Sequence, residues 1–103
     1  MEEKKLAGQL AEKEIEALKA QHGEIYFAKT ETNIAYFRKP KRQELGYALA
    51  VGKNDQLAVR ETLLKSCFVA GDRVFIEDIE YTLGAMPIVE KLMQVKTVEL
   101  GNC

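Results

Sequence analysis

Apolar residues recur at helical spacing through the beginning of the chain. Leu6 and Leu10 align at 100° per residue, and charged residues occupy the opposite side. The segment Glu3–Gln21 contains no proline and is rich in alanine, leucine, glutamate and lysine, which favour the helical conformation. Gly23 can adopt the left-handed conformation that ends helices. The pattern therefore predicts an N-terminal helix within residues 1–22.

The spacing of apolar residues changes from helical to alternating after this point. Residues 24–29 and 34–38 are rich in aromatic and β-branched residues, as strands are. The polar segment Thr30–Asn33 between them suits a turn. We predict an antiparallel two-stranded hairpin over residues 24–38. Because an isolated hairpin is marginally stable in water, one face must pack on helices or the hairpin must join strands of another copy.

Proline and aspartate residues mark the predicted helices of the C-terminal half. Pro40 suits the first turn of a helix, and Asp55 suits the N-cap of the next one. Ala70–Asp72 is predicted to be a turn. Pro87 interrupts the apolar pattern and is expected to begin a terminal helix. Residues 40–100 are thus predicted to be a mostly helical region.

The length and composition of the chain predict a single domain over residues 1–103. With 47% hydrophobic and 30% charged residues, the chain can form a core and remain dissolved. It is too short for a doubly wound dinucleotide-binding fold with a second domain. The predicted fold class is α+β, with an N-terminal helix, a two-stranded hairpin and a mostly helical C-terminal half.

The charges are balanced overall but unevenly distributed along the chain. Fifteen basic and sixteen acidic residues give a net charge of −1, which argues against coating of nucleic acid by the whole surface. Residues 29–42 carry five basic and one acidic residue, or +4, whereas residues 72–90 carry one basic and five acidic residues, or −4. Segments of opposite sign suit head-to-tail contact between copies, so we expect a homo-oligomer.

Two cysteines and the absence of long apolar runs indicate a cytoplasmic protein. Cys67 lies in an apolar stretch and is predicted to be a buried thiol, whereas Cys103 is the last residue and is expected to be exposed. A small secreted domain generally carries more cysteines. The N-terminal sequence lacks the pattern of a signal peptide, and no run of apolar residues is long enough to span a membrane.

The sequence offers little for catalysis or for binding a metal or cofactor. His22 is the one histidine and lies at a predicted helix end, where a cation interacts favourably with the helix dipole. It has no nearby serine or cysteine nucleophile, and one histidine with two distant cysteines does not make a metal site. Gly46 and Gly52 fall within a helical pattern and not in a phosphate-binding loop. We therefore expect a non-enzymatic protein without a cofactor.

The strongest local feature is a cluster of aromatic and basic residues at the end of the hairpin. We call these six residues the exit cluster: Tyr36, Phe37, Arg38, Lys39, Lys41 and Arg42. Such a cluster can be a solvated strand end and helix start, a surface for a protein partner or a second copy, or a nucleic-acid site in which cations meet phosphates and rings stack on bases. The four cations alone would bind nucleic acid weakly, so a nucleic-acid partner is the less favoured alternative.

Several segments together resemble the small tail assembly chaperones of long-tailed bacteriophages and prophages. The similar segments are His22–Tyr26, Tyr36–Pro40, Lys41–Leu45, Leu63–Cys67 and the Ala70–Asp72 turn with the helices after it. In that family a short hairpin has an arginine- or lysine-rich exit that is followed by helices.

The resemblance implies a non-enzymatic role in the cytoplasm of a bacterial host. Members of the family bind the long, helical tape measure protein, keep it soluble and deliver it to tail tube subunits, and they tend to form oligomers. By this reading the cations of the exit cluster form a partner-binding surface that its two aromatic residues support. The alternative is a small nucleic-acid-associated regulator that uses the same cluster.

Overall fold

A computed structural model describes residues 5–103 and shows an α+β fold. The elements in chain order are α1 (Glu12–His22), β1 (Ile25–Lys29), β2 (Ile34–Arg38), α2 (Arg42–Gly52), α3 (Gln56–Cys67), β3 (Phe68–Gly71), α4 (Val74–Glu77), α5 (Ile79–Ala85) and α6 (Pro87–Leu92). The predicted order of helix, hairpin and mostly helical C-terminal half is confirmed, and a third strand is added to it.

The N-terminal helix is shorter than its apolar pattern predicts. The helix begins at Glu12, so the prediction is wrong for residues 5–11, and residues 1–4 lie outside the described part of the chain. Ala7 forms an isolated parallel bridge with Asn33, and its N–H and C=O bond to the backbone around β2. These non-local hydrogen bonds outweigh the helical propensity of the segment.

The hairpin is part of a three-stranded antiparallel sheet with the order β1-β2-β3. In β1 and β2, Tyr26 pairs with Phe37 and Ala28 with Ala35. The predicted turn at Ala70–Asp72 is wrong, because β3 continues to Gly71 and pairs with β2. The third strand that stabilises the hairpin is therefore supplied by the same chain.

The helices of the C-terminal half begin close to where the sequence predicts, and the last one ends earlier. The Asp55 side chain accepts hydrogen bonds from two backbone N–H groups at the start of α3, as expected for an N-cap. Pro87 begins α6 as predicted. α2 begins at Arg42, two residues after Pro40, where the sequence predicts its start. The expected helical region to residue 100 is wrong at its end, because α6 stops at Leu92 and residues 94–103 have no regular structure.

The hydrophobic core lies between one face of the sheet and helices α2 to α6. Its buried residues are Ala35, Phe37, Ala48, Leu63, Leu64, Cys67, Phe75, Ala85, Met86, Ile88, Val89 and Leu92. Cys67 is buried and Cys103 is exposed, and both are free thiols, as predicted. α1 contributes no buried residue. The radius of gyration is 15.6 Å, above the roughly 13 Å of a compact domain of this length, because α1 and the C-terminal segment lie mostly outside the core.

Within residues 5–103, no helix combines the length and the apolar character needed to cross a membrane.

Candidate interaction surfaces

Both aromatic residues of the exit cluster are buried: Phe37 belongs to the hydrophobic core, and Tyr36 lies on the other face of β2, next to the N-terminal segment. Tyr36 is 4% exposed and Phe37 is completely buried. The Phe37 ring packs edge-on against Phe68 with 5.9 Å between centroids, and the Tyr36 hydroxyl accepts a hydrogen bond from the Leu10 N–H. The expectation that these rings support a surface site is wrong. β3 and the N-terminal segment cover the strand that carries them, so neither ring is available to stack on a nucleotide base.

Arg38 is a structural residue that joins three elements. Its guanidinium forms two hydrogen bonds with the Glu44 carboxylate, at 2.7 and 2.6 Å, and donates a third to the Ser66 carbonyl at 3.0 Å. The side chains of Arg38 and Glu44 are only 13% and 23% exposed. The end of β2 is thereby tied to α2 and to the last turn of α3. The expected role of Arg38 as a surface cation is wrong, because the partly buried carboxylate of Glu44 already neutralises it.

Two ionisable groups at this ion pair, Glu44 and Cys67, have shifted pKa values with different causes. Hydrogen bonding to Arg38 is the main cause that lowers the pKa of Glu44 from 4.5 to about 2, and the Lys41 N–H contributes a further hydrogen bond. Burial raises the pKa of the Cys67 thiol to about 11. Because the thiolate is the reactive form of cysteine, Cys67 is a core residue and not a nucleophile.

Glu44→Gln is expected to lower the free energy of unfolding by about 2 kcal/mol, because it leaves the partly buried Arg38 without its counter-ion. The wild-type protein should show the related pH dependence. Since the pKa of Glu44 is lower in the folded than in the unfolded state, its contribution is complete above about pH 4.5 and is lost as the pH falls towards 2. Urea unfolding at several pH values measures both effects.

Glu77→Gln is the matched control for this prediction. Arg73 and Glu77 form an ion pair of similar length, 2.8 Å, but both side chains are more than half exposed. Solvent-exposed pairs contribute little to stability, so this variant should unfold much like the wild type. Equal effects of the two substitutions would contradict the structural role of Arg38 and Glu44.

The three remaining cations of the exit cluster are exposed at the start of α2. Lys39 lies 4.0 Å from the Glu24 carboxylate, whereas Lys41 and Arg42 have no ion-pair partner within 4 Å among residues 5–103. Lys41 is the N-cap of α2, and Arg42 is its first residue. Positive charges at a helix N-terminus interact unfavourably with the helix dipole. Helix stability therefore does not explain these two residues, and they remain available to a ligand.

The outer face of α2 continues from these cations as an apolar groove, which the pattern of the sequence does not predict. At 100° per residue, Tyr47 and Val51 form one ridge, and Arg42 and Leu49 form another. The three apolar side chains of these ridges are more than half exposed. Between the ridges lie the exposed residues Gly46, Ala50 and, at the N-terminal end, Gln43; a Cβ added at Gly46 would meet no atom within 4 Å.

We call this surface the α2 groove; it consists of Arg42, Gly46, Tyr47, Leu49, Ala50 and Val51. The helical spacing of Leu49 suggests that its side chain points inward, but α2 packs on α3 through Ala48 and Gly52, which leaves Leu49 exposed. The signal in the sequence is Tyr47 with Val51, two large apolar residues one turn apart outside the inward stripe. Two ridges around a floor of small residues can receive a second helix.

The residues considered for catalysis or metal binding are not brought together. His22 lies in the last turn of α1, at the helix end that the sequence predicts for it. In the part of the chain that the structure describes, no three His, Cys, Asp or Glu residues lie close enough to hold a metal ion.

Comparison of the chain with protein-family models gives no match, and neither a curated protein nor a solved structure matches it significantly.

Proposed function

We propose that this protein is a non-enzymatic interaction factor that binds a helical segment of a client protein in the α2 groove. The observation that carries the proposal is the groove itself, in which exposed apolar ridges flank Gly46 and Ala50, next to two cations that have no ion-pair partner among residues 5–103. Exposed apolar surface beside charged residues is typical of protein-binding sites. An amphipathic helix buries its apolar face in such a groove.

The charges at the start of α2 indicate the kind of helix that fits. Lys41 and Arg42 lie at one end of the groove, so a client helix with acidic residues at the adjacent end would gain ion pairs there. Such a helix also compensates the unfavourable position of these cations relative to the helix dipole. The client is therefore an amphipathic, partly acidic helical segment.

The resemblance to tail assembly chaperones suggests a specific client. A tape measure protein is long and helical, and it exposes amphipathic segments until the tail tube surrounds it. A small protein that covers these segments keeps the client soluble in the bacterial cytoplasm. We propose this role in tail assembly for the chain, with the α2 groove as the client-binding site.

Co-expression with the tape measure protein from the same genome tests the proposal. We expect the wild-type chain to increase the soluble fraction of the client and to co-purify with it. Gly46→Gln places a side chain on the floor of the groove and removes a glycine from a helix, so it should block binding without harming the fold. The co-purified client should fall about tenfold, which corresponds to ~1.4 kcal/mol.

Gly84→Gln is the matched control, because Gly84 lies in α5, outside the α2 groove, and its added Cβ also meets no atom within 4 Å. It should leave client binding unchanged. The proposal is contradicted if Gly46→Gln binds as well as the wild type, or if the genome encodes no tape measure protein. A salt-sensitive shift of DNA or RNA that is lost in the double variant Lys41→Ala, Arg42→Ala would instead favour the nucleic-acid alternative.

A further inference from the structure

The C-terminal segment carries apolar side chains that no described residue covers. Val95, Val98 and Leu100 are 89%, 69% and 92% exposed. The segment is rich in β-branched residues, and in an extended conformation Val98 and Leu100 point to the same side. We call residues 94–100 the tail. Three large apolar residues exposed within six positions suit a strand that pairs with another sheet.

Strand β1 has an open edge that can accept such a strand. The sheet order β1-β2-β3 leaves the outer edge of β1 without a strand partner in residues 5–103. Tyr26 and Ala28 face the core, whereas Phe27 points to the other side and is more than half exposed. An unpaired edge presents a row of free N–H and C=O groups, and extended peptides bind to such edges by adding a strand.

A cavity of about 560 Å³ lies directly beside this edge. β1 forms one wall, and α5 and α6 form the other; the principal lining residues are Phe27, Phe75, Tyr81, Gly84, Ile88 and Lys91. We call this cavity the edge groove. A strand paired with β1 would turn alternate side chains into it, and its walls are mostly aromatic or aliphatic. Val98 and Leu100 have the size and polarity that this space accommodates.

The charges of the tail complement those around the edge groove. Lys29 and Lys91 line the groove together with Glu80. The tail carries Lys96 and Glu99, one charge of each sign. In an extended strand Lys96 lies on the same side as Val98 and Leu100, so it can form an ion pair with Glu80 in the groove, whereas Glu99 lies on the opposite side.

We propose that the tail of one copy adds as a strand to β1 of a second copy, with Val98 and Leu100 in the edge groove. The tail follows α6, which itself lines the groove through Pro87, Ile88 and Lys91. To reach its own groove the chain would have to turn back sharply, and between Ile88 and Leu100 it has no glycine or proline that favours a tight turn. The groove of a second copy is therefore the favoured acceptor. A donor tail and an acceptor groove are different surfaces of the same molecule. An open assembly therefore keeps one free groove at one end and one free tail at the other, so it either closes into a ring or grows into a filament.

Sedimentation of two complementary variants tests this contact. The first variant ends at Met93, which removes the tail and no buried residue. The second, Gly84→Gln, fills the edge groove at a helical position with open space around it. We expect the wild type to self-associate with increasing concentration and each variant alone to be monomeric. Their mixture should form a one-to-one complex, because the truncated chain offers only a groove and the Gly84→Gln chain only a tail.

Gly46→Gln is the matched control, since it alters the α2 groove and should self-associate like the wild type. A monomeric wild type would overturn the proposal. The same result is expected if the tail folds onto the groove of its own copy. Variants that keep the oligomer of the wild type, or a mixture that forms no complex, would also overturn the proposal. The α2 groove and the edge groove share no residue, so the two proposals can fail separately. If the tail does not bind β1, Gly84→Gln should still bind the client. If the client does not bind the α2 groove, self-association through the tail should be unchanged.

Discussion

Replacement of Phe37 by alanine is expected to reduce the free energy of unfolding by about 3–5 kcal/mol. The ring is completely buried in the central strand of the sheet and packs edge-on against Phe68 at 5.9 Å between centroids. Its removal loses the buried apolar surface of the ring and the aromatic contact with Phe68, and it leaves a cavity in the core where β2 meets the helices. Guanidinium unfolding, followed by circular dichroism at low protein concentration, measures the loss.

Phe27→Ala is the control on the neighbouring strand of the hairpin. Phe27 is more than half exposed, so its truncation should change the free energy of unfolding by less than about 1 kcal/mol. The comparison separates the two roles that the sequence leaves open for Phe37. A Phe37→Ala protein with the stability of the wild type but weakened partner binding would contradict its assignment to the core.

The elements that the sequence predicts well are those with local signals. Alternating aromatic and β-branched residues over 24–38 identify the hairpin, and Asp55 and Pro87 mark helix starts through the chemistry of a few adjacent residues. These signals depend on backbone hydrogen bonding and side-chain spacing within one element. The predictions made from these signals are correct because no distant segment offers the same backbone groups other hydrogen bonds.

The elements that the sequence predicts poorly depend on distant partners. Residues 5–11 have helical propensity, but the Ala7 backbone bonds to the chain around β2 instead. The segment Phe68–Gly71 pairs with a strand more than thirty positions earlier, which no local pattern reveals. This pairing also makes β2 a central strand, and it explains why Tyr36 and Phe37 are buried although cations follow them directly.

The candidate surfaces also depend on contacts between residues that are distant in the sequence, so the sequence alone does not predict them. A row of cations after two aromatics indicates a binding site, yet Arg38 becomes a structural residue once Glu44 and Ser66 lie beside it. Lys41 and Arg42 remain exposed at the start of α2. The α2 groove is defined by which residues of the helix pack on α3, so its position follows only from the tertiary structure.

Gly71→Ala is expected to lower the free energy of unfolding by about 3–4 kcal/mol, because backbone strain and steric overlap act together. Gly71 has φ of +104°, a conformation that side chains disfavour. A Cβ at this position would lie 2.6 Å from Ala35 Cα and 2.7 Å from the Ile34 carbonyl oxygen. Both atoms belong to the backbone of β2, so they cannot move without disturbing the centre of the sheet. Thermal and urea unfolding measure the change.

Gly46→Ala tests whether the loss at Gly71 comes from this close approach and not from the added methyl group itself. Gly46 lies within α2, and a Cβ there would meet no atom within 4 Å, so alanine should stabilise the protein by about 0.5–1 kcal/mol through its helical propensity. Opposite signs for the two substitutions are therefore expected. If Gly71→Ala unfolded at the same urea concentration as the wild type, the pairing of β3 with β2 at this position would be wrong. The explanation for the burial of Phe37 would then fail as well, because it depends on the contact with Phe68 of β3.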